Sequence, residues 1–331
     1  MSAVVYFTTS DSRPRLSSIR TQGPSLACTL EYLNEGGANL VFRVLPEDGR
    51  PLPESVAGRL LRVRKDLPHV QSTAQQLQDF DEHFKPLFPP DNLIQHSLVQ
   101  LDSSIPGLLN KSLSHLTRPP HRVQDLLSPS EGYGLLVTDM TPTLDSKLLQ
   151  LKPKWLAQSP NAPENAKRCR TCALRAQRAS RDTRTATDKQ ASCPLALVSE
   201  NTDDRQRAAE AVTEDVELQV FLVHEALPLL LTLQRWQVGF DSDGVVGAST
   251  DTVLSSNLCK AMTLRDCTLF VRRSDTGVVD YRLGDLDLKQ TRQRAKWERM
   301  EQSLIDGGWY THDEESSVWA EENICLLSRA R

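Results

Sequence analysis

The sequence predicts an α+β protein in two parts. The first observation is length: 331 residues bury a large core and exceed one minimal domain. The second is a set of short apolar runs flanking turn residues, the pattern of antiparallel hairpins. The third is a group of longer helix-like stretches, most of them in the second half.

Residues 30–34 and 40–45 are apolar runs on either side of Gly36-Gly37, which predicts a hairpin. Residues 60–64 alternate apolar and basic side chains and read as a third strand, 73–84 as a polar helix, and Leu135-Leu136-Val137 as a buried strand. Residues 160–192 read as a loop followed by an irregular helix, and 216–236 as one long apolar helix. Residues 264–272 and 278–283 read as two strands around the turn Ser274-Asp275-Thr276-Gly277, and 290–305 as a basic amphipathic helix. No internal repeat is visible.

Composition narrows the function classes. Hydrophobic residues make up 39% and charged residues 25%, an ordinary globular balance. The most apolar stretch, 226–233, is short and interrupted by Pro228 and Thr232, which excludes a membrane span. The first ten residues lack the pattern of a secretory signal. Seven cysteines, an odd and scattered set, suit a reducing compartment, so the expected location is intracellular, in nucleus or cytoplasm.

The formal charge is −4, but it is unevenly spread. Between Lys167 and Lys189, eight basic residues face two acids, an excess of six positive charges. Acidic stretches follow at 200–217 and 313–322. The basic run contains no interleaved aromatics, which argues against single-strand nucleic-acid stacking. Cys169-x-x-Cys172 with Cys193 invites a zinc reading, but a tetrahedral site needs four ligands. His224 is the one distant candidate for a fourth, so reduced structural thiols are the preferred reading.

Four motifs carry candidate chemistry. Gly36-Gly37-Ala38-Asn39 closes a hairpin whose backbone amides can approach phosphate oxygens; a plain tight turn explains the same residues. Leu61-Arg62-Val63-Arg64-Lys65 places basic side chains on the next strand, where kinases hold ATP phosphates; a solvated strand face is the competing reading. Gln150-Leu151-Lys152-Pro153-Lys154 sets two lysines about a stiff proline, a geometry suited to phosphate capture. Finally, if the strands at 264–272 and 278–283 form a hairpin, Asp266 and Asp285 meet at one edge. Phosphoryl transfer requires such a pair, one carboxylate near the attacking hydroxyl and one holding Mg²⁺.

Taken in order, Gly36 to Phe42, Leu61 to Lys65, Leu151 to Lys154 and Arg265 to Leu269 resemble the inositol-pentakisphosphate 2-kinases. The runs Lys152 to Pro160 and Lys167 to Cys172 resemble fungal members in particular. The resemblance implies a two-lobed, kinase-like α+β fold. An antiparallel-sheet nucleotide lobe would span 1–145, and a larger mixed lobe for catalysis and inositol-phosphate binding would span 146–331. It implies ATP and Mg²⁺ as cofactors and phosphorylation of the 2-hydroxyl of inositol pentakisphosphate, giving the hexakisphosphate.

By the same resemblance Asp266 and Lys152 are catalytic and Asp285 holds the metal. Gly36, Gly37, Ala38, Asn39, Arg62 and Gln150 bind the nucleotide. Lys152, Lys154, Lys167, Arg168 and Lys289 bind substrate. Gln150 stands where the family signature carries glutamate. Five phosphates bring roughly −8 to −10 charges, which a dense basic pocket must neutralise. The expected state is a monomer that contacts neither membrane nor nucleic acid. A catalytically degenerate relative, binding inositol phosphates or nucleic acid, is the alternative; the presence of both Asp266 and Asp285 favours an enzyme.

Overall fold

The computed structural model describes residues 3–8, 15–20, 28–46, 51–181, 192–246, 252–311 and 325–329. Arg184, Lys189 and the acidic stretch at 313–322 lie outside them. The chain divides into two compact units, Met1–Lys85 with Ile94–Met140, and Pro86–Leu93 with Thr141–Arg331. Each is described by itself.

The first unit is a closed barrel of seven strands: β1 (Ala3–Thr8), β2 (Arg15–Arg20), β3 (Cys28–Glu35), β4 (Asn39–Pro46), β5 (Arg59–Arg64), β6 (His96–Leu101) and β7 (Tyr133–Thr138). Their order is β1-β2-β3-β4-β5-β7-β6, and β1 pairs with β6 in parallel to close the ring. Every other pairing is antiparallel. The expected hairpin is β3–β4, and the expected third strand is β5. Helix α1 (Thr73–His83) begins where Ser72 accepts the Gln75 N–H, an N-cap that satisfies one of the helix's open donors. Helix α2 (Ile105–Leu113) turns Ile105, Leu109 and Leu113 into the barrel core with Leu40, Phe42, Leu61 and Val63. Alternation along β5 explains this inward set: Leu61 and Val63 point in, and Arg62 and Arg64 point out.

Beside the β3–β4 turn lies a buried charge network. Lys65 is fully buried, with Nζ 2.6 Å from Glu35 and 3.0 Å from Asp125. Arg118 donates two bonds of 2.8 Å to the Glu35 carboxylate. Burial pushes the Glu35 carboxyl up, but the bonds from Arg118 and Lys65 outweigh it and hold it at about 2.

The second unit carries a three-stranded antiparallel sheet, β8 (Ser146–Leu151), β9 (Thr268–Ser274) and β10 (Val279–Gly284), in the order β10-β9-β8. Helices α3 (Arg170–Arg181), α4 (Thr202–Val212), α5 (Val216–His224), α6 (Leu227–Gly239), α7 (Thr252–Leu264), α8 (Arg294–Asp306) and α9 (Leu326–Arg329) complete it. Residues 86–93 join this unit because the Asn92 amide reaches the Tyr281 carbonyl at 3.4 Å and Leu93 bridges to Leu283.

Three elements differ from the sequence expectation. The run at 264–272 is the end of helix α7, a turn, and then β9; a short apolar run does not distinguish strand from helix end by periodicity. The helix expected at 216–236 is two helices bent by 52°, because Pro228 lacks an N–H and fits only the first turn of a new helix. The helix at 170–181 is regular. No single helix among the described residues is long and apolar enough to cross a membrane.

Replacing Arg118 with methionine leaves Glu35 buried beside one fewer cation. It is expected to cost about 3–5 kcal/mol in urea unfolding near neutrality. Because the Glu35 carboxyl falls from 4.5 to about 2 on folding, its contribution is complete above 4.5 and is lost as pH falls toward about 2. Wild-type stability should decline through that window, and the variant should decline less.

Candidate active site

Strand register brings the charged residues of the second unit to one end of its sheet. Thr268 opposes Gly284 at the last pairing of β9 and β10, and Leu151 opposes Leu269 at the end of β8. Lys152 and Lys154 therefore leave β8, Asp266 leads into β9, and Asp285 follows β10, all at the same end. The Lys152 ammonium lies 3.0 Å from the Asp266 carbonyl oxygen and 3.3 Å from the Asp285 carboxylate. Lys154 is 3.0 Å and Lys289 2.8 Å from the two oxygens of the Asp266 carboxylate. Thr268 donates its hydroxyl to Asp285.

The five side chains remain open to solvent, with 30–55% of each exposed. Burial raises the Asp266 carboxyl, but Lys289 and then Lys154 hold it down at about 2. Three cations converge here, interleaved with two carboxylates.

Backbone geometry marks the same two positions. Among non-glycine residues described, positive φ occurs at Lys154 (61°) and Asp285 (57°). Left-handed backbone costs a non-glycine residue of order 1–3 kcal/mol, less for aspartate than for lysine, and it persists only where the surroundings enforce it. At Lys154 those surroundings are visible. Trp155 is buried, with the guanidinium of Arg265 3.6 Å and that of Arg170 4.7 Å from its ring centre. Arg265 is paired with Asp241, and Arg170 with Glu301. Gln237 on α6 donates to the Lys154 carbonyl at 2.9 Å and the Leu264 carbonyl at 3.2 Å, and accepts from the Leu156 N–H at 2.9 Å. One buried amide thus ties the chain around Lys154 to the end of α7, two residues before Asp266. Thr263 does the same for Lys289, accepting its N–H at 2.9 Å.

The β3–β4 turn of the first unit is equally open. Gly36 N–H donates to the Asn39 carbonyl at 2.9 Å, and Lys65 N–H donates to the Ala38 carbonyl at 2.8 Å. A Cβ added at Gly36 or Gly37 would meet nothing within 4 Å, and neither has a positive φ. The fold itself therefore does not require glycine at either place.

The sequence profile of the inositol-pentakisphosphate 2-kinases matches residues 32–227 and 222–303. This chain belongs to that family. It is also 28% identical over 309 residues to a protein named inositol-pentakisphosphate 2-kinase from Yarrowia lipolytica (strain CLIB 122 / E 150), covering 89% of this chain and 96% of that one.

Within this family member, the residues singled out in the sequence fall into three places. Lys152, Lys154, Asp266, Asp285 and Lys289 form the cluster, with Gln150 exposed on β8 two residues before Lys152. Gly36, Gly37 and Ala38 lie in the first unit's turn, Asn39 is buried at the start of β4, and Arg62 lies on the outer face of β5, donating to Gln76 at 3.2 Å. Lys167 and Arg168 pack against the end of α8. Both N–H groups reach the Tyr310 carbonyl, and the buried Arg168 side chain donates to the Trp309 carbonyl at 3.3 Å. Sequence reasoning missed Gln237, Thr263 and Thr268. A glutamine set between Trp236 and Val238 near the end of α6 was the one visible signal.

The cysteine expectation is corrected. Cys169, Cys172 and Cys193 do converge, but the fourth member of their group is Cys325. His224 is exposed on α5. Two turns of chain separated by 132 residues meet there, which no local spacing reveals.

Substituting Gln237 with leucine strands the Lys154 and Leu264 carbonyls and the Leu156 N–H in the interior. The expected loss is about 1–3 kcal/mol in chemical denaturation. Unchanged stability would show that water replaces the amide.

Proposed function

We propose that this chain transfers the γ-phosphoryl group of ATP to the 2-hydroxyl of inositol 1,3,4,5,6-pentakisphosphate, giving inositol hexakisphosphate. The observation that carries the reading is the interleaving of Asp266 and Asp285 with Lys152, Lys154 and Lys289 at one open sheet end. The name of the Yarrowia relative supports the same substrate and position. The two-lobed, kinase-like arrangement implied by the family resemblance belongs to this reading. So do a monomeric state and an intracellular location; the seven cysteines are all unpaired and buried, which suits a reducing compartment.

In this reading, Lys154 and Lys289 capture substrate phosphates; Lys167 and Arg168, bonded to the Trp309–Tyr310 segment, are assigned to the substrate by the family resemblance alone. That capture has a consequence for Asp266. The two ammonium groups that keep its carboxyl low turn toward the phosphates, and its proton affinity rises toward the ordinary carboxylate range. Asp266 then orients the 2-hydroxyl and takes its proton as the oxygen–phosphorus bond forms and the bond to the leaving ADP oxygen breaks. Lys152, held between the Asp266 carbonyl oxygen and the Asp285 carboxylate, offsets the charge that develops on the phosphoryl group.

The open β3–β4 turn supports nucleotide binding by Gly36, Gly37, Ala38 and Asn39, since glycines that the fold does not need leave room for a ligand. Arg62 and Gln150 complete the proposed nucleotide contacts. Asp285 fits Mg²⁺: its carboxylate is a hard oxygen donor, more than half exposed and held by Thr268. The ion, when bound, would neutralise charge on the phosphates. Asp285 would hold it, and Lys152 would shift from Asp285 to the phosphoryl oxygens.

The test is product formation from ATP, Mg²⁺ and inositol pentakisphosphate with a free 2-hydroxyl. Wild-type protein should yield the hexakisphosphate, and Asp266→Ala should be slower by about 10²–10⁴-fold. Equal rates would remove Asp266 from the mechanism.

Lys154→Ala should raise KM for inositol pentakisphosphate more than KM for ATP, by about tenfold or more for one lost charge-assisted bond. The opposite split would assign Lys154 to the nucleotide.

A further inference from the structure

The two carboxylates of the site are held in different ways. Asp266 has one lysine on each oxygen, Lys154 3.0 Å from Oδ1 and Lys289 2.8 Å from Oδ2. On Asp285 both donors meet the same oxygen. The Thr268 hydroxyl donates to Oδ2, and the Lys152 ammonium lies 3.3 Å from that same Oδ2. Among the described residues, Oδ1 of Asp285 receives no hydrogen bond.

The two donors on Oδ2 respond differently when ligands arrive. Lys152 is exposed, and in the reading above it turns to the phosphoryl oxygens. Thr268 is only 3% exposed, at the first position of β9 between the fully buried Cys267 and Leu269. Register fixes it opposite Gly284, the residue before Asp285. A hydroxyl at that depth is not drawn away by an incoming phosphate, so its bond to Asp285 outlasts the exchange. It also carries no charge. It orients the carboxylate without cancelling the negative charge that a hard cation seeks, as an ammonium would.

An unrestrained aspartate does not distinguish its oxygens. Its last torsion is broad and two-fold, so the carboxylate flips between equivalent settings. One fixed bond on Oδ2 removes that equivalence. We infer that Thr268 is a positioning residue for metal binding: its hydroxyl pins Oδ2 of Asp285 and presents Oδ1 to Mg²⁺. The inference rests on the proposed metal role of Asp285, and adds which oxygen serves and what aims it. The left-handed backbone at Asp285 (φ 57°) turns the chain immediately past β10, and the Thr268 bond is the buried contact that steadies the side chain there. Groups that orient a metal-ligating carboxylate in this way are worth about 10–100-fold in metal affinity.

The experiment measures binding of a non-hydrolysable ATP analogue to the full chain by calorimetry, once with Mg²⁺ and once with EDTA, so that no turnover enters. The ratio of the two dissociation constants reports the contribution of the metal. Wild type is compared with Thr268→Val, Thr268→Ser and Asp285→Asn. Valine keeps the branched shape at the start of the strand and leaves the exposed Asp285 free to bond water, so the fold should persist. The expected result in Thr268→Val is a ratio reduced about 10–100-fold with an unchanged constant in EDTA, and recovery in Thr268→Ser. Asp285→Asn should lose the ratio as well. A full ratio in Thr268→Val beside a lost one in Asp285→Asn overturns the positioning role and leaves the metal role of Asp285 standing. A full ratio in Asp285→Asn, or no gain from Mg²⁺ in the wild type, removes the metal role and the inference with it. Equal weakening of Thr268→Val with and without Mg²⁺ marks a general structural defect and also overturns the proposal.

Discussion

Three ammonium groups cannot sit together at a solvent-open sheet end unless something opposes their repulsion before the polyanion arrives. In this protein Asp266 and Asp285 do so. The Asp266 carboxylate lies between Lys154 and Lys289, which would otherwise repel, and the Asp285 carboxylate lies against Lys152. The arrangement keeps the cations converged while leaving them exchangeable. In the proposed reaction, a phosphate competing for Lys154 or Lys289 would displace the Asp266 carboxylate, so that substrate capture and activation of Asp266 would be one event.

Such exposed ion pairs contribute little stability by themselves. Their precision comes from the layer beneath, where burial makes each hydrogen bond harder to give up. Gln237, Arg265 with Asp241, and Glu301 with Ser159, Arg170 and Tyr310 are all buried. They hold Trp155 and the backbone of Lys154 in a conformation that lysine does not prefer. The strained φ at Lys154 is therefore sustained by interior contacts and expressed at the surface.

Much of this was legible in the sequence because it was local. The Gly36-Gly37 turn, the alternation along β5 and the lysines about Pro153 declare themselves within six or seven residues. The meeting of Asp266 and Asp285 was also readable, since a hairpin fixes its own ends whatever surrounds it. It survived an error about where β9 begins, because Asp266 sits within two residues of the strand's start either way, inside the expected strand and just before the observed one. Strands β1, β2 and β6 were not read, and of β8 only the end beside Lys152 was. Their runs are short, and β8 in particular, Ser-Lys-Leu-Leu-Gln-Leu, has no strict alternation. The supporting layer was invisible for a deeper reason. Gln237 meets Lys154 across 83 residues, and Ser159 meets Glu301 across 142. Neither pairing leaves a trace in local spacing.

The same physics connects the buried network of the first unit to its open turn. Glu35 is the last residue of β3, immediately before Gly36, and Arg118, Lys65 and Tyr32 all bond to its carboxylate. Arg122 donates to its carbonyl. A turn with glycines at its tip has little stiffness of its own, since glycine admits more backbone conformations than any other residue. Fixing one foot of that turn with a multiply bonded, buried carboxylate, and the other through the Ala38 carbonyl on Lys65, confines the freedom to Gly36 and Gly37. Lys65 joins both feet, with its side chain on Glu35 and its N–H on Ala38. Removing its charge would loosen the turn from beneath without touching the glycines, so the conformational entropy of that turn is set by a residue that no ligand could reach.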